Sequence, residues 1–119
     1  MHDDQPRTIA PDILPEVVIR YLTAHDARDT ATAVSVFTDD ATVTDDGTAH
    51  EGTAAIAEWL DRSAAEFTYT TRLIDARRAD ATHYVATRRL EGDFPGGVVD
   101  LHYGFTLRDD LVERLVIKV

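Results

Sequence analysis

The chain has 119 residues, of which 44% are hydrophobic and 29% are charged, a size and composition that suit one domain and are too small for two. Its 22 acidic residues outnumber its 12 basic residues, and the resulting net charge of −10 disfavours binding to nucleic acids and anionic membranes. The chain has no cysteine, which excludes disulfides, thiolate nucleophiles and cysteine metal sites.

The N-terminal part of the chain predicts a tail followed by two helices. Residues 1–11 are polar, contain two prolines and lack periodicity, so we expect a disordered tail and a single domain over residues 12–119. Apolar residues at helical spacing predict a first helix over Ile13–Ala27. Asp29 is a typical cap for a short second helix, Thr30–Val36.

Asp45 stands at the end of an apolar face of a predicted strand. In a strand, Ala41, Val43 and Asp45 share one face, so the apolar alternation ends in a carboxylate. An unpaired carboxylate is costly to bury, and proteins that keep one often use it to move protons. The alternative is that the strand frays after Val43 and that Asp45 and Asp46 lie in a solvated turn before Gly47.

The rest of the chain predicts one helix and then a sheet. A third helix begins at Gly52, and its apolar stripe consists of Ile56, Leu60, Ala64 and Phe67. Four β-type segments separated by short turns follow, over residues 67–78, 83–92, 98–108 and 111–119. Short connections make these strands antiparallel neighbours, so we expect an α+β domain with helices on one face of a sheet.

No signal for export, membrane insertion or metal binding is found. The first seven residues are polar and acidic, unlike a signal peptide, and no apolar run is long enough to span a bilayer, so we expect a soluble, cytoplasmic protein. His50-Glu51 lacks the second histidine of a zinc protease motif, and the five histidines form no ligand cluster. We therefore expect neither a metal nor a cofactor.

Three segments resemble a known superfamily: residues 17–21 (VVIRY), 37–45 (FTDDATVTD) and 52–56 (GTAAI). Together with the order of helices and strands, they resemble the nuclear transport factor 2-like superfamily, and within it the SnoaL-like proteins and ketosteroid isomerases. The resemblance implies a cystatin-like cone, in which three N-terminal helices pack on a curved, mainly antiparallel sheet. It also implies a homodimer formed through the outer face of the sheet.

The resemblance implies two catalytic residues. Tyr21 falls where the isomerases carry their oxyanion tyrosine, and Asp45 falls on their general base. The chain departs from the isomerases in that Leu101 occupies the position of their protonated aspartic acid and Leu60 that of a supporting tyrosine. Asp100 lies one residue away and is expected to face outward, so efficient steroid isomerisation is not expected.

Further residues are predicted to contact a ligand, each with a structural alternative. His25 lies one turn beyond Tyr21, and His50 lies between Asp45 and the third helix; either could instead be solvated or packed. The apolar candidates, which could equally be core residues, are Trp59, Leu101 and Tyr103.

Three functions remain open at this stage. The first is an isomerase or aldol-type cyclase acting on an apolar carbonyl compound, such as a polyketide or steroid-like molecule. The second is a non-catalytic ligand-binding or dimerisation module, which predicts that Asp45 is solvated or ion-paired and that Tyr21 is bonded to protein.

The third is a water-activating hydrolase, which requires an inward arginine near Asp45. The sequence instead predicts a charged outer or dimer-facing surface formed by five arginines, namely Arg72, Arg77, Arg78, Arg88 and Arg89.

Overall fold

The three helices form one layer of the molecule. The computed structural model describes residues 7–66 and 69–119. The helices are α1 (Glu16–Asp26), α2 (Thr30–Ser35) and α3 (Thr53–Glu66). The strands are β1 (Arg7–Thr8), β2 (Phe37–Asp45), β3 (Thr48–Glu51), β4 (Tyr69–Asp80), β5 (His83–Gly92), β6 (Val98–Arg108) and β7 (Leu111–Lys118).

The first helix begins later than the sequence predicts. A 3₁₀ turn occupies Pro11–Ile13, Leu14 is extended with ψ 144°, and α1 begins only after Pro15. Proline disfavours helical geometry in the residue before it, which explains why the predicted start at Ile13 is wrong. The second helix is capped as predicted, because the Asp29 carboxylate accepts a hydrogen bond from the Thr32 amide.

All seven strands belong to one sheet, in the order β1-β4-β5-β6-β7-β2-β3. The pairs are antiparallel except for β2 with β7, which is parallel. Strand β2 continues to Asp45, so it does not fray after Val43. The sequence analysis missed β3, which pairs with β2 through a tight turn in which Asp46 and Gly47 have φ values of 49° and 82°.

The N-terminal segment contributes to the sheet where disorder was predicted. Arg7 and Thr8 pair with Arg78 and Arg77 of β4, and the Ile9 amide donates to the Ala76 carbonyl at 2.9 Å. The predicted tail therefore has an ordered part, and residues 1–6 lie outside the described residues. The predicted contributions of Phe67 and of the Ala64 side chain to the core also lie outside what the structure describes.

The core lies between the helices and one face of the sheet. The alternation predicted for β6 is confirmed, since Tyr103 and Phe105 are buried and Leu101 packs against the same core. Ile56 and Leu60 of α3 close the core from the helix layer. The predicted α+β fold, with three helices on a mainly antiparallel sheet, is confirmed. None of the described helices is long and apolar enough to cross a membrane.

Candidate functional site

Asp45 lies at the end of β2 with its side chain partly buried under α3. Trp59 of α3 donates a hydrogen bond from Nε1 to Asp45 Oδ2 at 3.0 Å. No arginine, lysine or histidine forms an ion pair with Asp45 within the described part of the chain. The Asp45 side chain is therefore held by a neutral donor and not by a fixed cation among the described residues.

His50 packs against the same Trp59 indole that donates to Asp45. The rings of His50 and Trp59 are stacked, with centroids 5.7 Å apart and an interplanar angle of 29°. His50 pairs with Val43 across β2 and β3, and since Val43 and Asp45 lie on one face of β2, His50 lies on that face too. We call Asp45, Trp59 and His50 the Asp45 cluster.

Tyr21 is fully buried at the centre of the helix layer, with 0% of its surface exposed. Its ring packs edge-on against Phe37 and Phe105. Its hydroxyl has no hydrogen-bond partner among the described residues. Burial raises the pKa of Tyr21 well above its usual value, so the side chain stays a neutral phenol, able to donate.

Arg88 is the main departure from the sequence prediction, which placed it on the outer surface. It pairs directly with Leu101 across β5 and β6, so it points to the inner face of the sheet, and only 2% of its surface is exposed. The prediction is wrong for this arginine because Arg88 is in phase with the buried Ala86 and Leu90 on β5. That alternation was present in the sequence and could have identified it.

The guanidinium of Arg88 holds the end of α1 to the sheet. Nη1 donates to Asp26 Oδ1 at 2.5 Å and Nη2 donates to His25 Nδ1 at 3.1 Å. The guanidinium carbon lies 5.1 Å from the centre of the Tyr103 ring, within the range of a cation–π contact. We call Arg88, Asp26, His25 and Tyr103 the Arg88 cluster.

Asp26 behaves as an anchored carboxylate. Partial burial works to raise its pKa, but His25, Arg88 and Thr71 outweigh burial, and the pKa is lowered. Thr71 of β4 donates to the same carboxylate at 3.0 Å. A lowered pKa makes Asp26 a weaker proton acceptor than an ordinary aspartate.

Of the predicted site residues, the structure brings together two groups. Asp45, Trp59 and His50 form one cluster, and His25 and Tyr103 belong to the other. Tyr21 connects them electrostatically, because the charge of Asp45 raises the pKa of Tyr21 whereas that of Arg88 lowers it, both effects being smaller than that of burial.

The predicted outward orientation of Asp100 is confirmed. Its carboxylate forms a two-point ion pair with Arg89, at 2.8 and 3.1 Å, on the outer face of the sheet. Leu101 packs against the core on the inner face. Asp100 therefore provides no donor inside the fold.

Open space in the molecule lies closer to the Arg88 cluster than to Asp45. A groove of about 390 Å³ between α1 and β4 has apolar walls, including Leu14 and Leu22, and reaches Asp26 and Arg88. A cleft of about 10 Å³ at His25 and Tyr69 separates the helices from β4. Neither Asp45 nor Tyr21 lines this groove or this cleft.

Comparison with known proteins identifies the family. A sequence profile of the SnoaL-like domain matches residues 18–115. The chain belongs to the SnoaL-like domain family. This family has the ketosteroid isomerase-like, nuclear transport factor 2-like fold, which confirms the superfamily that the sequence motifs resemble.

Among solved structures, a protein from Sinorhizobium meliloti proposed to be a polyketide cyclase is 30% identical, with a TM-score of 0.85. The match covers 92% of this chain and all of that one. No curated protein matches the chain at a comparable level of significance.

Three more distant structures show the fold alone. A ketosteroid isomerase-like protein from Catenulispora acidiphila, in complex with trimethylamine, is 19% identical with a TM-score of 0.77, covering 88% of this chain and 85% of that one. A computationally designed binder of 17-OHP is 14% identical with a TM-score of 0.71, covering 87% of each chain. A cystatin-fold protein from Novosphingobium aromaticivorans also matches, at 20% identity and a TM-score of 0.75 over 87% of this chain and 96% of that one, in keeping with the predicted cystatin-like cone.

Within the described residues, no group of three or more histidine, aspartate or glutamate side chains is arranged to hold a metal ion.

Proposed function

We propose that this SnoaL-like protein binds an apolar carbonyl compound between its helices and its sheet and moves a proton on it without a cofactor. Asp45 is the general base and Tyr21 donates a hydrogen bond to the carbonyl oxygen. Isomerisation or aldol-type cyclisation is the resulting reaction, and a polyketide or steroid-like molecule is the proposed ligand class.

The observation that carries this proposal is the unpartnered hydroxyl of Tyr21. A buried polar group normally finds a hydrogen-bond partner, and leaving it without one costs about 1–3 kcal/mol. The Tyr21 hydroxyl has none among the described residues and stays protonated because burial raises its pKa. A ligand oxygen would supply the missing acceptor.

The surroundings of Asp45 support its role as the base. A fixed ion pair would hold the carboxylate in its charged form and reduce its basicity, as it does for Asp26. Asp45 has only the neutral Trp59 donor among the described residues. This arrangement disfavours the non-catalytic module, which required Asp45 to be solvated or ion-paired and Tyr21 to be bonded to protein.

The proposed step conserves protons and electrons. Asp45 takes a proton from the carbon next to the carbonyl, and the C–H electron pair forms a C=C bond while negative charge moves to the carbonyl oxygen. Tyr21 stabilises that oxygen. Return of the proton to a different carbon completes an isomerisation. Alternatively, the enolate carbon attacks a second carbonyl and closes a ring, the C=O π electrons move to that oxygen, and the resulting alkoxide takes the proton from Asp45.

The ligand class is supported by the relatives. The S. meliloti relative, at 30% identity, is proposed to be a polyketide cyclase, and the designed protein of the same fold binds 17-OHP. Because Tyr21 is fully buried and the cleft at His25 is narrow, the proposed ligand can enter only if the helix layer moves away from the sheet.

A hydrolase is the second candidate, because Arg88 points inward. This function requires an inward arginine near Asp45, whereas the contacts of Arg88 are with Asp26, His25 and Tyr103. Moreover, Arg88 pairs with Asp26, whose lowered pKa makes it a poor base for activating water. Proton transfer by Asp45 is therefore the better supported reaction.

We also propose the outer face of the sheet as a homodimer interface. This face carries the Arg89–Asp100 ion pair and a 2.8 Å hydrogen bond between Thr87 and His102. Sedimentation of the purified protein at several concentrations tests it, and a monomer throughout contradicts it.

The reaction can be tested without the natural substrate by following exchange of the α-hydrogens of β-tetralone for deuterium by NMR. Asp45→Asn is expected to slow protein-catalysed exchange by about 10²- to 10⁴-fold, the usual contribution of a general base. Asp46→Asn, in the adjacent exposed turn, is the matched control and is expected to keep the rate.

Equal rates for Asp45→Asn and the unmodified protein would falsify the role of Asp45. Binding of β-tetralone without exchange supports the non-catalytic module, and conversion of styrene oxide to its diol supports the hydrolase.

A further inference from the structure

Two buried side-chain atoms lack a hydrogen-bond partner among the described residues: the Tyr21 hydroxyl oxygen and Arg88 Nε. The Nε–H group of arginine only donates, and the hydroxyl of a protonated tyrosine has a hydrogen to donate. Both groups are therefore hydrogen-bond donors without an acceptor. An acceptor-bearing ligand placed in the interior would satisfy both.

The two donors belong to one neighbourhood. Arg88 Nη2 donates to His25 Nδ1 at 3.1 Å, and the His25 ring lies 5.8 Å from the Tyr21 ring on the next turn of α1. Arg88 also lies over the ring of Tyr103, whose neighbour along the inner face of β6, Phe105, packs against Tyr21.

The contacts of Arg88 leave Nε available. Asp26 occupies Nη1 and His25 occupies Nη2, so the two terminal nitrogens are used to join α1 to the sheet. Joining α1 to the sheet does not explain why the Nε–H group is buried without an acceptor, since buried donors are normally hydrogen-bonded.

The charge of Arg88 is only partly offset on the inner side. The side chain of Asp26 is 45% exposed, so water screens its negative charge, whereas the Arg88 side chain is 2% exposed. Next to Arg88 Nε, a negatively charged acceptor is therefore favoured over a neutral acceptor.

We propose that Arg88 and Tyr21 form a two-donor site that selects an apolar keto acid over the neutral ketone of the same skeleton. Arg88 Nε binds the carboxylate and Tyr21 binds the carbonyl oxygen. This inference rests on the interior ligand site of the proposed function, but it does not depend on proton transfer by Asp45.

The test compares two probes of equal shape, β-naphthoate and methyl β-naphthyl ketone, by fluorescence or NMR titration. The unmodified protein is expected to bind the carboxylate about tenfold more tightly than the ketone, since a charge-assisted hydrogen bond adds about 1.4 kcal/mol or more. Arg88→Met is expected to abolish this preference, so that the variant binds the two probes with equal affinity. Arg89→Met, on the outer face, is the matched control and is expected to keep it.

A second measurement needs no variant. The Nε–H signal of Arg88 in a ¹⁵N-correlated spectrum is expected to move downfield on addition of β-naphthoate, as it gains a charged acceptor. Equal affinity of the unmodified protein for the two probes, or an Nε–H signal that does not move at saturation, overturns the inference.

The two proposals fail separately. Asp45-dependent exchange of β-tetralone with no carboxylate preference leaves the proposed function standing and removes the role of Arg88. A carboxylate preference that depends on Arg88, without any exchange of β-tetralone hydrogens, leaves the role of Arg88 standing and removes the proposed proton transfer by Asp45.

Discussion

The Asp45 cluster and the Arg88 cluster each place a carboxylate beside an aromatic ring, yet the two carboxylates have different partners. Asp45 accepts one hydrogen bond from a neutral indole, whereas Asp26 is paired with a buried guanidinium and also accepts from Thr71. The comparison shows how one small fold keeps one carboxylate chemically available and uses another as an anchor. The partner, more than the residue type, separates the two roles.

The two clusters also differ in what they join. Trp59 and Asp45 link α3 to the end of β2, across 14 positions of sequence. Arg88 and Asp26 link α1 to the middle of β5, across 62 positions of sequence. The Arg88 cluster therefore contributes to holding the layers together, while the Asp45 cluster can change without separating them.

The largest expected effect concerns Tyr21, which lies between the clusters. Tyr21→Phe is expected to slow exchange of the β-tetralone α-hydrogens by about 10²- to 10³-fold, because one oxyanion donor is lost. The free energy of unfolding is expected to rise, by about 1–3 kcal/mol, because the substitution removes a buried hydroxyl that has no partner among the described residues. Deuterium exchange and urea unfolding measure the two quantities.

Tyr84→Phe is the matched control for Tyr21, since Tyr84 is a partly buried tyrosine on β5 that packs against the same core. It is expected to leave exchange unchanged. A large loss of stability in Tyr21→Phe would instead show that the hydroxyl has a structural role.

The second effect tests the anchoring role of the Arg88 cluster. Asp26→Ala leaves the Arg88 charge buried without its counterion and is expected to lower the free energy of unfolding by about 3 kcal/mol. Arg88→Met is expected to cost less than half as much, because it leaves Asp26 at a position where water reaches it and fills the space with apolar atoms. Urea unfolding of the unmodified protein, Asp26→Ala and Arg88→Met measures the two losses of stability and their difference.

Acid unfolding provides an independent measurement of the same anchor. The pKa of Asp26 is lowered from 3.8 in the folded state, so its contribution to stability is present above pH 3.8 and is lost as the pH falls through the lowered value. Asp26→Ala is expected to lose less stability than the unmodified protein over that interval. Identical acid profiles would mean that Asp26 is not an anchor.

The smallest effect concerns the coupling of Asp45 to Trp59. A double-mutant cycle with Asp45→Asn and Trp59→Phe is expected to give a coupling free energy of about 1 kcal/mol, the usual size for a partly exposed hydrogen bond to a charged group. His50→Ala is expected to keep the coupling between Asp45 and Trp59. The His50 ring stacks on the face of the indole and takes no part in the Trp59–Asp45 hydrogen bond. A coupling near zero would contradict the hydrogen bond in solution.

The sequence predicted the parts of the fold that have strong local patterns. Strands β5 and β6 were predicted with their observed limits because hydrophobic alternation and flanking turns are local signals. Strand β3 was missed because its four residues are mostly exposed and carry no alternation, although the Asp46-Gly47 turn favours a hairpin. Strand β1 was missed because two polar residues pair only through their backbone.

The same division holds for the candidate site. The alternation of β2 and the family motif identified Asp45 and Tyr21 as candidates, and the phase of β5 was sufficient to place Arg88 inside, although the density of arginines suggested a solvated surface. No sequence pattern could show that Trp59 donates to Asp45, or that Asp26 and His25 occupy two nitrogens of Arg88 and leave the third without a partner.

By itself, the sequence determined the order of the three helices and the long strands and the inner faces of β2 and β6, because propensity and periodicity act over a few neighbouring residues. Its motifs also indicated the SnoaL-like family. The choice of partner for each buried polar group depended on the folded chain. Hydrogen bonds are short and directional, so a helix end and a strand separated by 62 positions must first be packed together before their side chains can pair.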